Sequence, residues 1–214
     1  MISIVSSLAI LVLTACLPAT VNAVEPENEV HWQKIKEKDD VTVYAQNIRG
    51  SDVVKVKTEV LINAGMEEIK SILDDLDNRK NWVPYLKESR VLKRYSDNET
   101  LEYSLFLSPW MASNRDFVYQ RKLLHRGKAK IIFAMNVKQS ELMPEQDGVV
   151  RADLIESKYT LTALSDKQTR VELVFHADPK GWLPDWVINI IQKALPFIML
   201  RNLKATCETA LTFN

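Results

Sequence analysis

The sequence has few of the cysteines and histidines that stabilise disulfide-rich or metal-dependent folds. Its 214 residues include two cysteines, three histidines and five glycines. Cys16 lies in an apolar N-terminal stretch, which leaves Cys207 without an internal partner and excludes a disulfide framework. His31, His125 and His176 are far apart and lack metal-ligand spacing. The sequence therefore predicts a fold held together by its apolar core, with no metal and no cofactor.

The sequence also lacks an excess of charge of either sign. It has 28 basic and 28 acidic residues, so its formal net charge is zero. A nucleic-acid-binding domain usually carries a basic stripe, so this class of function is not indicated. No glycine-rich phosphate loop, G-x-S-x-G elbow or H-E-x-x-H motif occurs. These motifs therefore give no indication of a catalytic site.

The N-terminus contains the one long uncharged apolar stretch, from residue 2 to 17. Val21-Asn22-Ala23 follows it with the small residues that a signal peptidase recognises. We predict a signal peptide at 1–23, a mature domain at 24–214 and a periplasmic location. A lipoprotein anchored through Cys16, in Leu13-Thr14-Ala15-Cys16, is the alternative, and an uncleaved anchor is a third interpretation.

Hydrophobic periodicity predicts one α+β domain. Residues 28–38 are expected to form a short helix, 53–62 a half-buried strand and 66–76 an amphipathic helix, with a short helix or turn at 77–86. Further strands are expected at 89–95, 100–108, 115–125, 128–138, 150–154, 158–165 and 169–176. A long helix is expected from Pro184 to about Ala210. That helix has to bury its apolar side against the sheet.

Three stretches resemble the START (StAR-related lipid-transfer) domain family within the helix-grip, or Bet v 1-like, group. They are "SNRDFVYQRKL" at 113–123, "MPEQDGVVRADL" at 143–154 and "DPKGWLPDWVIN" at 178–189. They follow the family's order, and the resemblance covers most of residues 30–211. It implies a curved antiparallel sheet that grips the long C-terminal helix, with a cavity between them that holds one lipid.

The resemblance also identifies candidate ligand-binding residues on the predicted strands and the last helix. They are Arg115, Glu102, Tyr103, Phe106, Phe133, Met135, Trp182, Val187, Ile190 and Ala194. A matching arginine lines the family's cavity. The hypothesis is that Arg115 points inward, is balanced by Glu102 or water, and orients the polar end of a lipid. A surface or structural ion pair is the alternative.

Two neighbours of these candidates are interpreted as structural. Adjacent residues on a strand point to opposite faces, so Arg115 and Asp116 cannot both face the interior. We expect Asp116 to be structural. Arg151 either contributes to the cavity rim or pins the preceding loop, and the second interpretation is favoured.

The start of the last helix combines Gly181, Pro184 and two tryptophans. Gly181 permits a tight turn, and Pro196 inside the helical pattern should kink the helix. One interpretation is a mobile lid with Trp182 and Trp186 near the cavity mouth or a membrane interface. The alternative is a helix that bends only to follow the sheet.

The resemblance thus predicts a monomeric protein that is not an enzyme, has no catalytic residues and binds one lipid or other hydrophobic small molecule. Transfer of the lipid and transient contact with a membrane are further expectations. The first alternative is a Bet v 1-like enzyme with Glu102, His125 or His176 as an acid–base group. The second is an envelope interaction protein whose cavity is filled by large side chains.

Overall fold

The computed structural model describes residues 31–51, 53–108, 112–137, 141–184, 187–188 and 190–210. Most of its regular elements are antiparallel strands joined by short connections. They are β1 Gln33–Lys38, β2 Val41–Gln46, β3 Lys55–Ile62, α1 Met66–Asp74, a 3-10 turn Arg79–Asn81, β4 Leu86–Ser96, β5 Glu99–Phe106, β6 Asn114–His125, β7 Lys130–Val137, β8 Val149–Arg151, β9 Asp153–Ser165, β10 Gln168–Asp178, a π-helical segment Ile190–Ala194 and α2 Leu195–Ala210.

The strands of the described residues form one sheet in the order β1-β2-β3-β10-β9-β7-β6-β5-β4. All neighbours on this path pair antiparallel, and β8 adds a short parallel pairing to β6. The connection between β3 and β4 carries α1 and the 3-10 turn, and α2 is the last of the described elements. The predicted α+β class, an antiparallel sheet with a long C-terminal helix, is confirmed.

The helix predicted at 28–38 is wrong for the described part of that segment. Residues 33–38 form β1, an exposed edge strand that pairs with β2. Asp39 and Asp40 join the two strands, and both have positive φ values, of 53° and 59°. Two consecutive residues in this region form the tight hairpin turn whose twist matches paired strands. Backbone pairing across this turn outweighs the helical spacing of the apolar residues.

The amphipathic helix predicted at 66–76 is confirmed over Met66–Asp74. Ile69 and Leu73 form its buried side. At its start, the backbone N–H of Gly65 donates to Oε2 of Glu68 at 2.8 Å. This side-chain contact supplies an acceptor at the helix N-terminus. The chain then leaves helical geometry earlier than predicted and forms the 3-10 turn at Arg79–Asn81.

The C-terminal helix is not uniform. A π-helical segment, Ile190–Ala194, immediately precedes α2, and Pro196 is the second residue of α2. Proline has no backbone N–H to donate to the preceding turn, and π-helical segments accompany such interruptions. The helical turns just before Pro196 are therefore widened, and the kink at Pro196 stays a prediction.

The inner face of the sheet and α2 share one apolar core. Leu200, Leu203 and Cys207 recur at helical spacing and are buried against the strands. Val56 and Val60 of β3 belong to the same cluster. Among the described helices, none is long and apolar enough to cross a bilayer.

Candidate functional site

A cavity of about 210 Å³ lies between the inner face of the sheet and the start of the C-terminal helix. Its apolar walls come from β4–β7, β9, β10, the turn before β4 and the helix. The apolar lining residues are Leu73, Trp82, Val83, Tyr85, Leu86, Phe106, Leu107, Phe117, Phe133, Met135, Leu154, Phe175, Ala177, Pro179, Val187, Ile191, Leu195 and Met199. Tyr85 and Leu107 are about half exposed, at 53% and 46%, and mark the mouth.

One end of the cavity carries a buried polar network. Nη1 of Arg79 donates to Oε2 of Glu102 at 3.2 Å and to the Tyr119 hydroxyl at 3.1 Å. Its Nη2 donates to the carbonyl of Leu73, near the end of α1, at 3.0 Å. The Tyr119 hydroxyl also shares a 2.9 Å hydrogen bond with Oγ of Ser104. Arg79 therefore joins α1, β5 and β6 at the back of the cavity.

A second arginine, Arg121, completes this polar end. It forms an ion pair with Asp74 at the end of α1, and its Nε is 3.9 Å from Oε1 of Glu102. Its guanidinium lies 4.6 Å from the centre of the Phe133 ring, within cation–π distance. Thr100 donates its hydroxyl to Oε1 of Glu102 at 2.9 Å. Glu102 and Asp74 together thus supply one negative charge for each of the two arginines.

Burial sets the protonation of the polar end. Desolvation raises the pKa of Tyr119 to about 12. It also raises the pKa of Tyr159, whose hydroxyl is buried without a partner among the described residues. For Arg79, desolvation opposes the charge, but attraction to Tyr119 and Glu102 outweighs it and the pKa is raised. At neutral pH both tyrosines are therefore neutral and Arg79 is charged.

Arg115 lies at the other end of the cavity and acts as a tether for two loops. Its guanidinium donates to the carbonyls of Pro179, Lys180 and Trp182, at 3.4, 3.1 and 3.1 Å. It also donates to the carbonyl of Ser113 at 2.5 Å. Desolvation lowers its pKa. The suggested balance between Arg115 and Glu102 is wrong, because Glu102 pairs with Arg79 and Arg121 instead.

Asp116 and Arg151 lie on the opposite face of the sheet, as the alternation of β6 requires. Nε of Arg151 donates to Oδ1 of Asp116 at 2.7 Å, and Nη2 donates to Oδ2 at 3.0 Å. The same guanidinium reaches the carbonyls of Met143 and Pro144. The structural interpretation of both residues is confirmed: they pin the loop that precedes β8.

The structure brings five of the predicted ligand residues to the cavity. Arg115, Phe106, Phe133, Met135 and Val187 all line it. Glu102 faces the same side of β5 as Phe106, but it is buried at 1% exposure and is not part of the lining.

The other predicted residues lie elsewhere. Tyr103 is adjacent to Glu102 on β5, so its side chain points to the opposite, outer face of the sheet. There it belongs to a separate cluster with Leu101 and Met143. Trp182 is 69% exposed, and its side chain does not line the cavity. Ala194 is half-buried outside the lining. The side chains of Ile190 and Trp186 lie outside the described part of the structure.

Sequence reasoning missed most of the polar end, namely Arg79, Ser104, Tyr119, Arg121, Ser157 and Tyr159. Tyr119 and Arg121 share the inward parity of Arg115 along β6, so strand alternation could have identified them. Arg79 lies in an irregular turn, where no periodic pattern indicates its direction. Among the described residues, no group of three or more His, Cys, Asp or Glu side chains could hold a metal.

An antiparallel sheet that packs a C-terminal helix around a cavity defines a helix-grip ligand-binding domain. Comparison of the sequence with protein families identifies one such domain family, because the START domain model matches residues 20–210. The chain belongs to the START domain family.

Individual proteins are similar to this chain in sequence or in fold. The phosphatidylcholine transfer protein of Mus musculus is 27% identical over 182 residues, which cover 83% of this chain and 84% of that protein. The crystal structure of human STARD10 superposes with a TM-score of 0.78 at 24% identity, covering 87% of this chain and 77% of that chain. A STAR-related lipid transfer protein from Xanthomonas axonopodis gives a TM-score of 0.73 at 27% identity, with coverage of 83% and 98%.

Proposed function

We propose that this protein binds one lipid molecule in the sheet–helix cavity and does not transform it chemically. One observation carries the proposal: an apolar cavity of about 210 Å³ ends in a buried, charged network. An amphiphile needs both environments, since its chain has to leave water while its polar end retains hydrogen bonds. The open cavity also counts against a protein whose core is filled by large side chains.

The binding energy comes mainly from removing apolar surface from water. Each buried CH2 group contributes about 0.8 kcal/mol. Phe106, Phe133, Met135 and Val187 are the proposed contacts for the apolar part of the ligand. Met135 suits chains of different shape, because its side chain is unbranched and flexible. A bilayer buries the lipid chain as the cavity does. The lipid therefore moves between cavity and bilayer without exposing its chain to water only when the protein contacts the membrane.

The cavity mouth supports transient contact with a membrane as part of the proposal. The exposed side chains of Tyr85 and Leu107 flank the opening, and Leu107 N–H donates to the Tyr85 carbonyl at 2.9 Å. Trp182 is exposed on the loop that Arg115 tethers. Aromatic and apolar side chains of this kind partition into membrane interfaces. We propose a monomer that exchanges its lipid at such a surface.

The enzymatic alternative finds less support at the cavity. Of its three candidate acid–base groups, His125 is exposed at the end of β6 and His176 lies on the outer face of β10. Glu102 is held between two arginines. No histidine or carboxylate of the described residues lines the cavity. The raised tyrosine pKa values also oppose a role for Tyr119 as a base near neutral pH.

The N-terminal predictions remain part of the proposal. The signal peptide at 1–23 and the lipobox at Cys16 lie outside the described residues, and we propose a periplasmic location for the mature domain at 24–214. The intact mass of protein recovered from a periplasmic fraction checks this directly. A chain that begins at Val24 supports a secreted protein, and a lipidated chain that begins at Cys16 supports the lipoprotein alternative.

Native mass spectrometry tests lipid binding. The protein, purified from bacterial cells and incubated with mixed lipids including phosphatidylcholine, is expected to carry one lipid per chain. Ala177→Phe places a ring inside the cavity and should remove the adduct. Ala134→Phe is the matched control, because Ala134 lies on β7 next to Met135 and faces the outer side of the sheet. Equal loading of both variants would contradict binding in this cavity.

A further inference from the structure

Tyr85, at the cavity mouth, has a backbone conformation that its side chain disfavours. Its φ is +62°, in the left-handed region, where the Cβ of an L-residue crowds the following carbonyl oxygen. Among the described residues, Asp39, Asp40 and Lys180 are the other non-glycine residues with positive φ. The two aspartates form the β1–β2 turn, and aspartate tolerates this region. Tyr85 is the one aromatic residue in the group, and a bulky side chain there is strained.

The surrounding contacts hold the turn around Tyr85 in place. The Leu107 N–H donates to the Tyr85 carbonyl at 2.9 Å, and Nδ2 of Asn202 on α2 donates to the Trp82 carbonyl at 3.0 Å. Trp82 and Leu86, on either side of Tyr85, are buried. The turn is therefore fixed by α2 on one side and by the residue after β5 on the other. A strained residue persists where its surroundings determine the backbone path in this way.

The backbone path of this turn does not require a tyrosine. Pro84 precedes Tyr85, and a turn with proline followed by a residue of positive φ favours glycine at the second position. Glycine would adopt the same conformation without the crowding of a Cβ. What tyrosine adds at this position is its ring.

Tyr85 forms part of the boundary between the cavity and solvent. It belongs to the cavity lining, yet the residue is about half exposed, and the same holds for Leu107 beside it. A tyrosine side chain combines an apolar body with a polar tip. Such a side chain can cover a hydrocarbon chain at an opening that faces water.

We infer that Tyr85 retains the bound lipid: its ring, presented by a strained turn, covers the part of the lipid nearest the mouth and slows its release. This inference rests on the proposed lipid-binding function and names a residue that sets the rate of exchange. Each CH2 group that the ring no longer covers corresponds to about fourfold weaker binding. Affinity differences between variants of one site appear mainly in the dissociation rate.

Release to a soluble acceptor tests the inference without a membrane. Protein loaded with phosphatidylcholine or with oleate is mixed with excess methyl-β-cyclodextrin, and native mass spectrometry follows the loaded fraction with time. Tyr85→Gly should release either lipid at least about fourfold faster than the unaltered protein. In urea unfolding of the lipid-free protein, the same variant should have a higher midpoint, because the strain is relieved. Removal of a residue with a purely structural role would lower the midpoint.

Further variants separate the ring from the flexibility of glycine. Asparagine tolerates the left-handed region without the freedom of glycine, so Tyr85→Asn should release lipid about as fast as Tyr85→Gly. Tyr85→Phe keeps the ring and should release lipid at the original rate. Asp39→Gly is the matched control, because it relieves a φ of +53° at the β1–β2 turn, outside the cavity lining. It should raise the urea midpoint and leave the release rate unchanged.

The outcomes separate this inference from the proposed function. Release at the original rate from Tyr85→Gly and Tyr85→Asn would overturn the inference and leave lipid binding intact. Fast release from Tyr85→Phe or Asp39→Gly would also overturn it, because the effect would not follow the ring. A lower urea midpoint for Tyr85→Gly would contradict the strain on which the inference depends. Loss of loading in Tyr85→Gly and Tyr85→Asn alone is the limit of fast release and supports the inference, whereas failure of the unaltered protein to load any lipid would overturn the proposed function as well.

Discussion

Removing the Glu102 carboxylate should destabilise the protein strongly, because this buried side chain is the ion-pair partner of Arg79 and also lies 3.9 Å from Arg121. Glu102 is 1% exposed and Arg79 is 9% exposed. Breaking a buried ion pair by removing one partner typically costs about 3–5 kcal/mol, since the remaining charge stays in a poorly solvated site. Arg79 retains the Tyr119 hydroxyl and the Leu73 carbonyl, and Arg121 retains Asp74. We therefore expect Glu102→Ala to lose about 3 kcal/mol, the lower end of that range.

Equilibrium unfolding in urea, followed by tryptophan fluorescence, measures this loss as a shift of the midpoint at constant slope. Glu99→Ala is the control on the same strand. Glu99 pairs with Lys122 at 3.7 Å on the surface, and such pairs contribute about 0–1 kcal/mol. A second variant tests the cause: adding Arg79→Met to Glu102→Ala should restore part of the stability, because it removes the uncompensated charge. A loss below about 1 kcal/mol for Glu102→Ala, or no recovery in the double variant, would refute the argument.

Three further changes have defined outcomes. Arg151→Ala should make the loop before β8 sensitive to limited proteolysis, and unchanged cleavage would contradict the pinning role. It should also lower the free energy of unfolding in urea by about 3 kcal/mol, because Asp116 stays buried without its partner. Burial lowers the pKa of His176, so its stabilising contribution is complete above the unfolded pKa of about 6.5 and is lost as the pH falls towards the folded pKa. His176→Asn should therefore reduce the acid-induced loss of unfolding free energy, and an unchanged pH dependence would contradict this role of the buried imidazole. Gly181→Ala should cost about 1–2 kcal/mol in urea unfolding, because Gly181 has a φ of +63°; no loss would show that the loop relaxes.

Strand periodicity was the most reliable guide to this fold, and it also shows where prediction failed. The alternation of β6 orients Arg115 inward and Asp116 outward, as expected. The same rule shows that Tyr103 and Phe106 cannot line one cavity, because they are three positions apart on a single strand and so point to opposite faces. Predicting both as ligand contacts overlooked this parity, and the structure resolves it in favour of Phe106.

The partners of buried charges were harder to predict. Arg79 meets Glu102 from a 3-10 turn 23 residues earlier in the chain, and that geometry depends on where α1 ends. A pattern within one strand or helix carries no information about such a contact. The edge strand β1 was missed for a related reason: its residues are all exposed, so its pairing with β2 leaves no burial pattern in the sequence.

The tether formed by Arg115 has a consequence for how the surrounding loops can change. Its acceptors are the main-chain carbonyls of Ser113, Pro179, Lys180 and Trp182, together with Oγ of Ser108 at 3.5 Å. Every amino acid supplies a main-chain carbonyl. Substitutions at these four positions therefore leave the anchor in place as long as the backbone keeps its path. Side chains on the rim of the cavity can therefore change while Arg115 holds the backbone of the rim in place. Substitutions at these positions offer a way to change which surface or molecule the cavity mouth contacts.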